Sequence, residues 1–245
     1  MNSKMKNACL ALATAVTTAS VLGADEAPSR AYSVTADVSY ASKYTFRGTL
    51  IGGAAVQPSV ELAVGDFYAG YWGSQPVRYS GGDEADFYAG YGLTLAEGFS
   101  LDAGLTLYNY TATPSSWPGF KYTLEGYIGA KFETSAGLTP SLYAYYDFNL
   151  KTTNLQGNLE YSLELVKDTV SLDFAAYLGW GNQAAGTLNE TNGHYWFWGI
   201  DLSLPYTLAP NATLTPALHY TSNSKYYGKE HKTVFSYTVG ISIGF

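Results

Sequence analysis

Residues 32–47 read YSVTADVSYASKYTFR, and the character of their side chains changes at every second position. The even positions are mostly apolar or aromatic, whereas the odd positions are small, polar or charged. A period of two is typical of a β-strand with one apolar and one polar face. The stretch therefore predicts a single strand over 32–47. Its polar face carries Asp37 and Lys43 and is expected to meet water.

The same alternation continues to the C-terminus, and no later stretch has helical periodicity. The pattern predicts about twelve strands, which is an even number and leaves both chain ends on one side of a barrel. Their expected positions are 32–47, 56–64, 67–74, 86–95, 99–108, 121–132, 138–148, 158–165, 170–180, 195–204, 212–220 and 235–245.

The connections between these strands alternate in length. Short turns are expected at 65–66, 96–98, 134–137 and 166–169, and longer polar loops at 75–84, 111–119, 181–193 and 222–232. Short periplasmic turns on one side and long extracellular loops on the other are typical of outer-membrane β-barrels.

A soluble β-sandwich also has alternating strands, and three features favour the barrel. The apolar positions become aromatic towards strand ends, as membrane interfaces prefer. Charges stand at mid-strand on the polar face, where a sandwich core would not tolerate them unpaired. The last strand ends in Phe245, a terminal aromatic residue of the kind by which the barrel-assembly machinery recognises such chains. We therefore predict an all-β fold, a single closed antiparallel transmembrane β-barrel over 32–245.

The first residues are expected to direct export. Lys4 and Lys6 precede an apolar, small-residue stretch, and a cut near Ala24 would make 1–23 a cleaved signal peptide. Residues 24–31 would then be a short periplasmic segment. Because the only cysteine, Cys9, lies within the signal peptide, the mature chain would have neither a disulfide nor a cysteine-based zinc site.

The composition argues against two classes of protein, nucleic-acid-binding proteins and disordered proteins. The chain has 13 Lys and Arg against 20 Asp and Glu, a formal charge of −7, and no basic cluster, which argues against nucleic-acid binding. Only 13% of its residues are charged and 16% are aromatic, which argues against disorder.

The stretch Ser42-Lys43-Tyr44-Thr45-Phe46-Arg47-Gly48 resembles the opening motif of the TorF-like porin family of bacterial outer-membrane barrels. Residues 66–74, read DFYAGYWGS, and 55–58, read AVQP, are also similar to that family. The resemblance is sharpest over 32–76. It implies a barrel with a pore, and it implies little about the solute.

The polar faces of the strands supply the candidate pore-lining residues. Acids predominate, and most lie in the periplasmic half of their strands, so a water-filled lumen would attract cations. Pairing across strands is the alternative, with Asp102 and Lys131 as the best pair, and Arg47 either binds an anion or forms a salt bridge. The candidates are Asp37, Lys43, Arg47, Glu61, Asp102, Glu125, Lys131, Tyr143, Asp147, Glu160, Glu164, Asp173 and Asp201.

No catalytic, metal or cofactor site is expected. His194 and His231 fall on outer loops without further ligands, and His219 near Ser222 lacks an orienting group for a hydrolase triad. Inward tyrosines either bind sugars or nucleosides or simply fill the lumen.

These observations predict a channel in the bacterial outer membrane that passes small solutes passively and mildly prefers cations. Its expected partners are outer-membrane lipid, lipopolysaccharide and the barrel-assembly machinery. The alternative is a closed structural or surface-binding barrel that acts through its outer loops.

Overall fold

The computed structural model describes residues 32–78, 83–110, 121–182, 193–224 and 233–245. Within these ranges the chain is all β-strand and turn, and it holds no helix that is long and apolar enough to cross a membrane. The strands are β1 (Tyr32–Ala41), β2 (Tyr44–Phe46), β3 (Thr49–Gly52), β4 (Ala55–Val64), β5 (Phe67–Pro76), β6 (Glu84–Ala96), β7 (Phe99–Asn109), β8 (Tyr122–Phe132), β9 (Leu138–Asp147), β10 (Thr152–Val166), β11 (Val170–Gly181), β12 (Tyr195–Ser203), β13 (Tyr206–Ala209), β14 (Ala212–Asn223) and β15 (Val234–Gly244).

The strands close into a ring in which every neighbour is antiparallel. Each wall strand pairs with the strands before and after it, β10 pairs with β11, and β1 pairs with both β4 and β15, so the wall has no open edge. Of the fifteen strands, β2 and β3 form a separate sheet, and β12 and β13 continue one another across Leu204 and Pro205, which leaves the predicted twelve in the wall.

The two rims of the barrel differ. One rim carries the tight connections after β4, β6, β8 and β10 together with both ends of the described chain, and we call it the turn rim. The other, the loop rim, carries the connections in which 79–82, 111–120, 183–192 and 225–232 lie outside the described residues. The predicted short turns and long loops are thereby confirmed at these eight connections, whereas β9 and β10 are joined at the loop rim by only four residues, 148–151. The predicted signal peptide and the 24–31 segment also lie outside the described residues.

The outer face of the wall is apolar. Ile128 on β8, Leu142 on β9 and Leu178 on β11 stand at mid-strand with 60%, 62% and 55% of their surfaces exposed. The inner face holds the polar and charged residues, several of them buried. A chain that exposes large side chains and buries carboxylates is inside out relative to a soluble protein, as a lipid-facing barrel requires.

The prediction of one strand over 32–47 is wrong beyond Ala41. The wall strand β1 ends there, and residues 44–52 form a two-stranded hairpin from β2 and β3, which we call the inner hairpin. Because Ala41 pairs directly with Ala55 on β4, the residues between Ser42 and Ala54 leave the wall. Ser42 and Ala54 themselves still hydrogen-bond to the backbone of Tyr237 and Val77. The inner hairpin is itself made of β-strands, and its side chains have partners inside the barrel. The alternating pattern therefore continues past the end of the wall strand.

Candidate functional site: the lumen

A tight turn forms the tip of the inner hairpin. Arg47 and Gly48 both have positive φ, 44° and 76°, which is the backbone of a two-residue type I′ hairpin turn. A Cβ on Gly48 would lie 2.6 Å from the Cβ of Phe197 and 2.6 Å from the carbonyl oxygen of Ser222. Glycine is therefore required both by the turn and by the closeness of the wall.

The side chain of Arg47, at the hairpin tip, places a positive charge in the lumen. Its guanidinium donates two hydrogen bonds of 2.8 Å to the carboxylate of Glu125 on β8, and the two side chains are almost fully buried. The guanidinium also lies over the rings of Phe46 and Tyr145, 4.7 and 4.4 Å from their centroids. A bidentate and stacked arginine is held in one geometry that lysine cannot reproduce.

Further contacts hold the hairpin from two sides of the barrel. The side-chain amide of Asn223, at the end of β14, donates to the carbonyl of Gly48 over 2.6 Å. On the opposite arc, the hydroxyl of Tyr44 donates to Glu84 on β6 over 2.8 Å. Since β6 and β14 are separated in the ring by several strands on either side, the inner hairpin crosses the lumen.

The inner hairpin lies in the half of the lumen next to the loop rim, and its surroundings are tightly packed. Phe197, Asn223 and Asp86 have no more than a trace of exposed surface. The half next to the turn rim, which we call the vestibule, is more open, and Glu160 and Glu164 are exposed there. The lumen thus has a tightly packed half at the loop rim and a half at the turn rim in which some carboxylates stay exposed.

The vestibule is lined mainly by carboxylates. Glu61 accepts a 3.0 Å hydrogen bond from Tyr88, and Asp173 accepts one from Ser162. Glu164 accepts from the backbone of Asp168 in the adjoining turn. The predicted pore-lining acids that face the vestibule are Asp37, Glu61, Asp102, Glu160, Glu164, Asp173 and Asp201.

The cross-strand pair expected between Asp102 and Lys131 does not form. Their strands are adjacent, but the register places Gly129 opposite Asp102. Tyr68 and Tyr143 instead donate to the two oxygens of Asp102, over 2.6 and 3.2 Å, and Lys131 has its ion pair with Glu133 at 3.6 Å. Hydroxyls therefore satisfy this carboxylate without neutralising its charge.

Three other predicted residues lie away from the vestibule. Lys43 is exposed between β1 and β2, where its ammonium donates to the carbonyl of Phe235. Asp147 ends β9 at the loop rim and accepts from the backbone of Asn149 and Leu150, so it caps a turn. Glu125 lies beneath the hairpin tip.

His219 makes contacts at both of its ring nitrogens. Asp201 lies 2.7 Å from Nδ1 and the hydroxyl of Thr238 lies 2.9 Å from Nε2. Ser222, the hydroxyl near it in sequence, pairs with Thr233 instead. The order of acid, imidazole and hydroxyl resembles a hydrolase triad. However, the backbone around Thr238 is paired with strands on both sides, so it has no two free amides that could bind an oxyanion.

Among the described residues, no group of three or more metal-ligating side chains comes together.

Sequence reasoning missed three of the residues that hold the hairpin: Glu84, Asn223 and Gly48. Glu84 and Asn223 are the end residues of their strands, in segments for which the sequence predicts loops. The signal for an inward hairpin is the Arg-Gly dipeptide at the end of the alternation over 32–47, since glycine is favoured where a hairpin turns.

The barrel has counterparts among solved structures. A KdgM porin aligns with a TM-score of 0.56 and 13% identity over 86% of this chain and 99% of that chain. An outer membrane channel from Pseudomonas putida F1 aligns at 0.54 and 12% identity over 90% and 100%, and a NanC porin at 0.51 and 12% over 86% and 98%. At these identities the likeness establishes the fold alone, a transmembrane β-barrel with the architecture of outer-membrane porins.

A match to a protein family adds to the likeness in fold. Residues 25–199, well over half of the chain, match the family described as bacterial protein of unknown function, Gcw_chp. The chain belongs to that family. No curated protein matches its sequence. The likeness to TorF-like porins remains a resemblance of the motifs quoted above.

Proposed function

We propose that the protein is a channel of the bacterial outer membrane that passes small solutes passively and prefers cations. The observation that carries the proposal is the charge of the vestibule. Among its described residues, Lys131 and His219 are the basic side chains beside the carboxylates of Asp37, Glu61, Asp102, Glu160, Glu164, Asp173 and Asp201. A negative wall around water raises the local concentration of cations and opposes anions.

The test is conductance across a planar bilayer with a salt gradient, which gives ion selectivity from the reversal potential. Replacing Glu160 by Gln and Asp173 by Asn removes two vestibule charges and keeps the side-chain shapes. The reversal potential is expected to move towards the non-selective value. Glu97→Gln is the matched control, because Glu97 is exposed in a turn at the rim. A reversal potential that does not respond to the vestibule variants would exclude the acidic wall as the source of selectivity.

A closed barrel is the second candidate, favoured by the burial of the inner hairpin. Arg47 is only 5% exposed, and the side chains around the hairpin tip fill the lumen at that depth. A barrel closed in this way would act through its outer loops. Exclusion of small sugars from proteoliposomes that contain folded protein would favour this candidate over the channel.

Localisation and assembly follow from the same proposal. The outward apolar side chains suit a lipid environment, with lipopolysaccharide in the outer leaflet. β15 closes the barrel against β1 and is followed by an exposed Phe245, which suits recognition by the barrel-assembly machinery. Membrane fractionation of the expressed protein tests the localisation, and mass spectrometry of its N-terminus tests the cut near Ala24.

A further inference from the structure

The inner hairpin is structurally independent of the wall that surrounds it. Strands β2 and β3 pair with each other and with no wall strand. The wall is complete without them, because β1 and β4 stay in register up to Ala41 and Ala55. The hairpin rejoins β4 through Gly52 and Gly53, whose freedom of rotation permits a hinge. A movement of the hairpin would therefore break no hydrogen bond of the barrel ladder.

Polar and aromatic contacts hold the hairpin in place. The polar ones are the ion pair of Arg47 with Glu125 and the hydrogen bonds from Asn223 to Gly48 and from Tyr44 to Glu84. The aromatic ones are the ring contacts of Tyr44 with Trp72 and of Phe46 with Tyr108. A buried ion pair gains little net free energy, because both charges recover their hydration when they separate. If the ion pair breaks while either charge stays buried, that charge has no partner and no water, which is strongly unfavourable. Positions between docked and withdrawn are therefore unfavourable, and the two ring contacts add to the stability of the docked state.

From this geometry we infer that the inner hairpin is the gate of the channel, and that the pair of Arg47 with Glu125 is its latch. The inference rests on the proposed channel function. In the docked state the hairpin closes the loop half of the lumen. When it withdraws towards the loop rim, the vestibule becomes continuous with the outside. The solutes that pass would then be limited by how far the hairpin moves.

Two variants open the gate by different routes, and single-channel conductance reads the result. Glu125→Gln keeps the side-chain shape but removes the charge that pairs with Arg47. Replacing residues 42–54 by Asn-Gly joins the paired residues Ala41 and Ala55 through a two-residue turn and removes the hairpin. Glu97→Gln is the matched control, since it removes the same charge from an exposed turn at the turn rim, away from both the hairpin and the vestibule carboxylates.

The wild-type protein is expected to give small or infrequent conductance steps. Both gate variants are expected to show a severalfold rise in single-channel conductance or in open time. Glu97→Gln should keep the step size and timing of the wild type. Equal conductance in all four proteins would overturn the gate and leave the channel standing. Silence from all four, with each barrel shown to be folded by heat-modifiable gel mobility, would overturn the channel and the gate with it. If the shortened chain does not fold, Glu125→Gln alone still decides.

Discussion

Tyr68 on β5 occupies the space that a side chain on Gly90 would need. The two residues are paired across β5 and β6, and a Cβ on Gly90 would lie 2.3 Å from the hydroxyl oxygen of Tyr68. The neighbouring pair is reversed, with Tyr88 on β6 lying against Gly70 on β5 in the same way. Inward aromatic residues thus lean across the wall onto glycines of the next strand. The hydroxyl of Tyr68 reaches Asp102 and Tyr127 from that position.

The first prediction concerns the stability of the wall at this pair. Gly90→Ala forces Tyr68 off its hydrogen bonds and should destabilise the folded barrel by about 1–3 kcal/mol, the range for overpacking of a tight site. Gly92→Ala is the control, because Gly92 lies on the same strand and face and a Cβ there would have nothing within 4 Å. Urea titration followed by heat-modifiable gel mobility measures both. Equal midpoints for Gly90→Ala and Gly92→Ala would contradict the role given to the tyrosine.

These pairs also explain which parts of the fold could be predicted from the sequence. Alternation alone gave the number of strands and the side on which each turn lies. Residues 67–74 are aromatic on both faces, so alternation within this strand does not fix its orientation. The orientation is decided by partners on another strand, since Tyr68 and Gly70 fit Gly90 and Tyr88. A pattern within one strand contains no such information.

The site was predictable in composition and not in arrangement. The inward carboxylates follow from the period of two, but the partner of each depends on register. Asp102 faces two tyrosines and not Lys131 because the strands pair two residues away from the expected match. The inner hairpin was missed because residues 44–47 alternate like a wall strand. Its contacts with Glu84, Glu125 and Asn223, all far away in sequence, hold it inside the barrel.

A second prediction tests whether the outer face lies in lipid. Leu142 is at the middle of β9 and is 62% exposed, so an arginine there would face the centre of the bilayer. Leu142→Arg should destabilise the barrel by about 2–4 kcal/mol, and Val166→Arg at the end of β10 by about 0–1 kcal/mol. Folding yield into vesicles under a urea series measures the difference. A protein whose outer face met water would tolerate both substitutions alike.

A third prediction uses salt in place of mutation. Screening lengths fall from about 10 Å at roughly 0.1 M salt to about 3 Å at roughly 1 M. If the charges of Glu160 and Asp173 act on ions in open water, cation selectivity should weaken strongly over that range. Reversal potentials at a fixed ratio of concentrations, recorded at low and at high mean salt, give the comparison. Selectivity that stays constant would place its origin in a narrow, dry constriction and not in the vestibule.

The last prediction concerns the amide that holds the hairpin tip. The side chain of Asn223 is fully buried, and Asn223→Ala removes its hydrogen bond to Gly48, leaving that carbonyl without this donor. The loss should disfavour the docked hairpin by about 1–3 kcal/mol relative to the withdrawn one. Asn211→Ala is the control, since the exposed Asn211 makes a similar bond to Gly244 at the turn rim.

A buried thiol on the hairpin reports its release. Thr49→Cys, in a chain with Cys9→Ser, places a cysteine where the native side chain is 3% exposed. A membrane-impermeant maleimide should label it slowly, severalfold faster with Asn223→Ala, and at the slow rate with Asn211→Ala. Lys43→Cys, at an exposed position beside the hairpin, should react quickly in every background and confirms that the reagent reaches the loop rim. If Thr49→Cys reacts at one rate whether or not Asn223 is present, the hydrogen bond of Asn223 does not hold the tip, and the ion pair of Arg47 and the other contacts of the hairpin account for docking.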